Sequence, residues 1–223
     1  MIKYILFDLD GTLTDPAQGI TNCIMYALSE MGYDIPPREE LYKFIGPPLV
    51  PSFMKYFGMT EDLAKEALRL YRVRFSSVGW KENVPYEGIR EQLDLIKKSG
   101  MPYGKKIALA TSKPEEFAVN IMREFRLEEY FDVICGSSMD GSRIEKGDVI
   151  RYALESLGFG VNDDPGEIVM IGDRMYDIDG AKEVGAVSVG VTWGYGDEAE
   201  LTQHRADVIC RNVNDLAGVI ADL

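Results

Sequence analysis

The sequence predicts an α/β protein: a parallel-sheet core with a helical domain inserted after its first strand. Three observations carry this reading. Short apolar runs rich in Ile and Val recur along the chain and end in Gly, Asp, Ser or Thr, as strands buried on both faces of a parallel sheet do. Amphipathic stretches of helical period separate them. One long stretch after the first run carries helical patterns and no convincing strand.

The expected strands are Tyr4–Phe7, Ile107–Ala110, Phe131–Cys135, Ile168–Ile171, Val187–Thr192 and Val208–Cys210. Helical periodicity marks Glu87–Ser99, where Ile89, Leu93 and Ile96 share a side, then Glu115–Phe125, Lys146–Leu157 and Asn214–Leu223. Strand and helix in alternation imply right-handed βαβ units and an open, Rossmann-like parallel sheet. Ligands of such sheets bind beyond the carboxyl ends of the strands. From Ala17 to Val84 the helical patterns are Gly19–Met31, Arg38–Phe44, Val50–Phe57 and Thr60–Ser77, punctuated by Pro36-Pro37 and Gly46-Pro47-Pro48. That is too long for one crossover, since a whole βαβ unit takes about 30 residues. Residues 17–84 are therefore expected to form a helical cap domain, and 1–16 with 85–223 the catalytic core. The hinges fall near Thr14–Gln18 and Asn83–Gly88.

The chain of 223 residues can bury a substantial core without staples. Its net charge of -13 argues against a nucleic acid polymer or an anionic membrane as partner, because both attract clustered Lys and Arg. A small phosphorylated metabolite stays compatible, since one bound cation reverses the field inside a pocket. Cys23, Cys135 and Cys210 are far apart and lack CxxC spacing, so buried structural thiols are expected. No run approaches the roughly 18 apolar residues of a membrane span, and Asp8 and Asp10 interrupt any signal-peptide core. A reducing, cytoplasmic location is the expectation. The lone His204 lies in a polar stretch and reads as a surface residue, which leaves no histidine-based chemistry.

The strongest motif is Asp8-Leu9-Asp10-Gly11-Thr12, directly after the first apolar run. Positions i and i+2 of a strand face the same way, so two carboxylates meet at a strand end. They repel unless a cation joins them, and Mg2+ is the hard, oxygen-seeking choice. Gly11 allows a sharp turn. A second motif, Gly172-Asp173-Arg174-Met175-Tyr176-Asp177, follows the Ile168–Ile171 run. If a helix starts there, Asp173 and Asp177 lie one turn apart on the same side. Thr111-Ser112 ends another strand; its hydroxyls and nearby N–H groups suit either phosphate binding or an ordinary N-cap before Pro114 and Glu115. Lys146 begins a helix, where its charge opposes the helix dipole, so another duty is expected beside that of a solvated surface lysine.

These four segments, in this order and across essentially the whole chain, resemble the haloacid dehalogenase-like hydrolase superfamily. Phe44-Ile45-Gly46-Pro47-Pro48-Leu49 and Gly194-Tyr195-Gly196 resemble its phosphoglycolate phosphatase-like and 5′-nucleotidase-like branch. The resemblance implies a Mg2+-dependent phosphatase acting on a small phosphomonoester. Asp8 would be the nucleophile, and Asp10 the acid on the leaving oxygen and then the base on water. Asp8, Asp173 and the carbonyl of Asp10 would hold Mg2+, with Asp177 acting through its water shell and orienting Lys146. Thr111 and Lys146 would grip the phosphoryl oxygens, helped by backbone groups near Gly11, Thr12 and Ser112. Arg174 would be a structural ion-pair residue. The cap segment Ile45-Gly46-Pro47 would meet the rest of the substrate, or serve only as helix punctuation.

Other readings share parts of this pattern. A phosphomutase of the same superfamily would return the phosphoryl group to a sugar phosphate, and would need a second phosphate donor such as Arg38, Lys43 or Lys55. A signalling receiver would be about half this length and lack a cap. A non-catalytic phosphometabolite-binding protein would not require the full acidic set with Lys146. Monomer and homodimer are both open.

Overall fold

The computed structural model describes residues 1–99 and 104–223. Contacts divide these into two compact units, Met1–Thr14 with Pro85–Leu223, and Asp15–Val84.

The first unit is a six-stranded parallel sheet. Its strands are β1 (Tyr4–Phe7), β4 (Lys106–Pro114), β5 (Val133–Ser137), β6 (Ile168–Gly172), β7 (Val187–Val191) and β8 (Val208–Cys210), in the order β5-β4-β1-β6-β7-β8. β2 (Thr14–Asp15) and β3 (Val84–Pro85) pair separately as a two-residue ribbon where the chain leaves this unit and returns. Val84, in the stretch expected to hold no strand, belongs to that ribbon. All four β1 residues are buried, which explains why it reads as an unbroken apolar run and not as an alternating one. Tyr4 pairs with Lys106 on one side and Ile168 on the other, and Phe7 with Leu109 and Ile171. The carboxyl ends of β1 and β6 therefore lie level with Leu109 of β4, which runs on to Pro114. The chain steps from β1 outward through β4 and β5, then returns to β6 on the other side of β1. This reversal is the switch point at which open α/β sheets leave a crevice.

Helices cover both faces: α4 (Ile89–Ser99), α5 (Glu115–Glu124), α6 (Lys146–Ser156), α7 (Met175–Glu183), α8 (Glu198–Gln203) and α9 (Leu216–Ala221). Tyr4, Leu6, Ala108 and Met170 on one face pack with Val149, Ile150, Ala153 and Leu154 of α6 and Ala181 of α7. Alternation sends Ile5, Phe7 and Leu109 to the other face, where Phe7 meets Phe131 edge to face at 5.9 Å. Cys23, Cys135 and Cys210 are buried thiols.

The second unit holds α1 (Ala17–Glu30), α2 (Leu49–Phe57) and α3 (Glu61–Ser77). Ile20, Cys23, Ile24, Ala27 and Leu28 form the buried stripe of α1; Ala64, Ala67, Tyr71 and Phe75 form that of α3. Thr60 caps α3 by accepting the Leu63 N–H at 3.4 Å. Phe44, Phe53, Tyr56 and Phe57 cluster around α2, with Phe44 5.3 Å from both Phe53 and Tyr56. Arg38–Phe44, helical in pattern, forms a tighter 3-10 helix, which Pro37 starts and the extended backbone of Ile45 ends. Among the described residues, no helix is long and apolar enough to cross a membrane.

Candidate active site

The level ends of β1 and β6 gather the acidic motifs. The Asp8 N–H donates to the Ile171 carbonyl at 2.9 Å, extending the β1–β6 ladder by one residue. The chain then turns tightly: the Leu9 carbonyl accepts from Leu13 at 2.9 Å and from Thr14 at 3.0 Å. Gly11 sits at φ +86°, and a Cβ there would lie 2.2 Å from Asp173 Oδ2. Only glycine gives both the left-handed backbone and the room for Asp173.

Asp173 leaves β6 fully buried. It accepts the Tyr195 N–H at 2.7 Å and the Thr12 hydroxyl at 3.4 Å. Trp193 Nε1 donates to the Thr12 carbonyl at 3.1 Å, so the loop after β7 braces both motifs. Asp173 stands before the helix, which starts at Met175. Asp177 lies in its first turn, where its Oδ2 accepts the Arg174 N–H at 3.1 Å. Arg174 turns away to Glu200, with Nε 2.9 Å from Oε1.

Lys146 opens α6 and is buried. Its Nζ lies 2.7 Å from Asp8 Oδ1 and 2.6 Å from Asp177 Oδ1. Two carboxylates thus offset its unfavourable place at a helix N-terminus. Burial acts to lower its pKa, but Asp177 and Asp8 outweigh that and raise it. Ligand oxygens of Asp8, Asp173 and Asp177 lie within 4.8 Å of one another. Asp173 is pushed well above the usual carboxylate range, by burial first and then by Asp177 and Asp8. Burial raises Asp177 to about 6, against the pull of Lys146. Of these three crowded carboxylates only Asp8 and Asp177 meet the Lys146 ammonium group, an arrangement that fits a hard divalent cation.

Asp10 is not part of that trio. Its Oδ2 pairs with Lys113, and its Oδ1 is buried with no hydrogen-bond partner among the described residues. Burial raises its pKa while Lys113 lowers it. Lys113 escapes a reading of the sequence, although Thr111-Ser112-Lys113 runs straight on from an apolar strand, which is the available signal. Thr111 and Ser112 do not cap a helix: β4 continues through Pro114, α5 begins at Glu115, and no side chain caps it. Thr111 is buried at the strand end and accepts the Lys113 N–H at 3.3 Å, whereas Ser112 is exposed. Ile45, Gly46 and Pro47 belong to the helical unit, Ile45 buried and Gly46 at φ +100°. His204 is half-buried against Asp179, 2.8 Å from its Oδ2.

The chain's relatives agree with this architecture. The family described as haloacid dehalogenase-like hydrolase matches residues 5–191. A 5′-nucleotidase of Pseudomonas aeruginosa is 42% identical, over 97% of this chain and 94% of its own. Tyrosine-protein kinase PtkA of Mycobacterium tuberculosis is 40% identical, over 87% of this chain and 63% of its own length. The crystal structure of a predicted phosphatase from Clostridium acetobutylicum superimposes with a TM-score of 0.90 at 43% identity, covering all of both chains. The chain is a hydrolytic enzyme of the parallel α/β class. It belongs to the haloacid dehalogenase-like hydrolase family and is a phosphatase of that family.

Proposed function

We propose that this phosphatase hydrolyses a small phosphomonoester, of the phosphoglycolate or nucleoside 5′-monophosphate type, through a phospho-aspartate on Asp8. The observation that carries this reading is the split of duties at the strand ends. Asp8 is held by Lys146 beside Asp173 and Asp177, while Asp10 stands apart, one oxygen buried with no hydrogen-bond partner among the described residues.

In the first step an Asp8 oxygen forms a bond to phosphorus and the bond from phosphorus to the leaving oxygen breaks. Asp10 gives that oxygen its proton. In the second step Asp10 takes a proton from water, the water oxygen bonds to phosphorus, and the bond from phosphorus to Asp8 breaks. Inorganic phosphate leaves and Asp8 is regenerated. Lys146 and Thr111 hold the phosphoryl oxygens, with backbone groups near Gly11, Thr12 and Ser112. Phosphoryl transfer asks mainly for such placement and for neutralised charge.

Asp8, Asp173 and the Asp10 carbonyl would hold Mg2+, with Asp177 acting through water. When bound, the ion supplies positive charge that offsets the crowded carboxylates and the phosphoryl oxygens. In this reading the helical unit is the family's cap, and Ile45-Gly46-Pro47 is its substrate-binding segment.

The test is phosphate release from a panel of phosphomonoesters, with and without Mg2+, beside Asp8→Asn. Metal-dependent release that disappears in the variant is expected. Transfer of the phosphoryl group within a sugar phosphate, with no free phosphate, would overturn hydrolysis in favour of a mutase.

A further inference from the structure

The sheet makes an irregular step where β4 ends. Ala110 pairs with Cys135 and Pro114 with Ser137, so Thr111, Ser112 and Lys113 together face the single residue Gly136. Extra residues on one strand bulge it and re-aim its side chains. Gly136 makes the step feasible, because a Cβ there would lie 2.6 Å from the Lys113 carbonyl oxygen and 2.6 Å from Glu115 Cα. The step is also tied down. The Gly136 N–H donates to Glu115 Oε2 at 3.2 Å, Arg143 Nε donates to the Gly136 carbonyl at 2.8 Å, and Arg143 Nη2 donates to Glu115 Oε2 at 3.1 Å. Its outcome is a buried Lys113 whose ammonium group meets Asp10.

The two buried lysines serve different carboxylates. Lys146 touches Asp8 and Asp177, on the side of the attacking oxygen. Lys113 touches Asp10, the carboxylate assigned to the leaving oxygen. Lys113 holds Asp10 by Oδ2, and Oδ1 is buried with no hydrogen-bond partner among the described residues, so in the assignment above Asp10 can serve the leaving oxygen while Lys113 stays on Oδ2. The Lys113 charge then lies one carboxylate away from the scissile oxygen, beside whatever that oxygen carries. A buried ammonium group is costly to keep unless anions surround it. A leaving portion bearing a carboxylate or a phosphate adds an anion to those around it; a neutral one does not.

We propose that Lys113 is a specificity-determining residue that binds an anionic group on the leaving portion of the substrate, a carboxylate or phosphate close to the scissile oxygen. This rests on the assignment of Asp8 and Asp10 above. It narrows the substrate class to phosphate esters, or anhydrides, whose leaving portion is itself negatively charged.

The test uses a matched pair, phosphoglycolate and ethyl phosphate, which differ in a carboxylate against a methyl group. Rates are measured with Mg2+ for the full chain, Lys113→Gln and Lys113→Arg. The full chain should prefer phosphoglycolate in kcat/KM. The ratio of the two kcat/KM values should fall at least about tenfold in Lys113→Gln, chiefly through KM, and recover in part in Lys113→Arg. An unchanged ratio, whatever the individual rates do, overturns the proposal and makes Lys113 a counter-ion of Asp10 alone. If Lys113→Gln does not fold, Lys113→Arg decides: a preference lost although the charge is kept overturns the proposal. A second arm titrates both esters onto Mg2+-loaded Asp8→Asn, with and without Lys113→Gln. Preferential binding of phosphoglycolate that needs Lys113, when the parent chain with intact Asp8 releases no phosphate from any ester, upholds this inference and sinks the phosphatase mechanism. Brisk release with no such preference sinks this inference alone.

Discussion

The molecule carries two charged networks of opposite design, one in each unit. In the helical unit, Glu82 accepts from Arg74 on both oxygens, at 2.7 and 2.9 Å, and from Asn22 at 3.1 Å. Arg38 donates in turn to Asn22 Oδ1 at 2.8 Å and to the Thr21 hydroxyl. One carboxylate there is paired with one guanidinium group and feels the charge of a second, and its pKa is lowered, chiefly by the Arg74 hydrogen bonds. At the sheet end, the four carboxylates of Asp8, Asp10, Asp173 and Asp177 meet the ammonium groups of Lys113 and Lys146, while Arg174, paired with Glu200, acts on Asp173 only through its field. Burial and mutual repulsion raise the pKa of Asp10, Asp173 and Asp177. A network whose charges are satisfied within the protein holds architecture together. One left short of positive charge is built for something that arrives from outside.

The sharpest way to break this comparison is to remove a carboxylate from the sheet-end cluster. Asp8→Asn should lower phosphate release by about 10^4-fold or more, because a nucleophile has no substitute. Asp10→Asn should lower it by about 10^2- to 10^4-fold, the range of a lost general acid. Steady-state rates on one ester, with circular dichroism to verify folding, check both. Activity within tenfold of the parent in either variant would remove that residue from the mechanism.

The surplus charge also predicts how the metal-free protein responds to pH. Asp177 is raised to about 6 in the folded state, chiefly by burial, and Asp10 and Asp173 are raised too. The folded state therefore holds these protons more tightly than the unfolded chain. The stability they contribute is full below the ordinary carboxylate range and is lost as pH rises through about 6. Lys146, raised by its neighbours, keeps its proton throughout this window. Thermal melting in chelator should fall between pH 5 and 8. At pH 8, Mg2+ at about 100 times its dissociation constant should raise the midpoint by roughly 5–10 °C. A flat chelator profile with no Mg2+ response would place the metal elsewhere.

The balanced network predicts the reverse. Glu82→Gln should cost about 1–3 kcal/mol of stability in urea or heat, since charged hydrogen bonds from Arg74 are lost. The Mg2+-induced shift in midpoint should be unchanged. A Glu82→Gln chain that loses its Mg2+ response would join the two networks and end the contrast between them.

Much of this is legible in the sequence. The sheet strands show because burial on both faces makes each an apolar run, and the acidic motifs show because each directly follows such a run. Lys146 was visible as a charge misplaced at a helix start. Lys113 was not, because its orientation depends on three residues of β4 facing one of β5, a register set by Gly136 across the sheet. Ser112 shows the same limit: it reads as equal to Thr111, yet the extended strand turns it outward. The reach of Asp10 toward Lys113 depends on the turn at Gly11 and on a partner over a hundred positions away, |i−j| = 103, which no local pattern records. Periodicity reveals what an element buries, and long-range register decides what its end touches.

The smallest expected effect tests how far the sheet-end cluster depends on its surroundings. Glu200 accepts Arg174 Nε at 2.9 Å and the Met175 N–H at 2.8 Å, so it holds the first residues of α7, the helix that carries Asp177. It touches none of the four clustered carboxylates in these bonds and is a positioning residue. Glu200→Gln keeps an oxygen for the Met175 N–H but gives up the ion pair with Arg174. The retained oxygen limits the loss, although an ion pair with side chains 15% and 23% exposed is only partly screened. The expectation is a fall of about two- to fivefold in kcat with an unchanged ester KM and a higher Mg2+ requirement, since misplacing Asp177 weakens charge placement more than ester binding. Glu200→Ala, which removes the backbone contact as well, should exceed it. If both variants instead change ester KM alone, the Glu200–Arg174 pair acts on substrate entry, and the start of α7 is rigid without it.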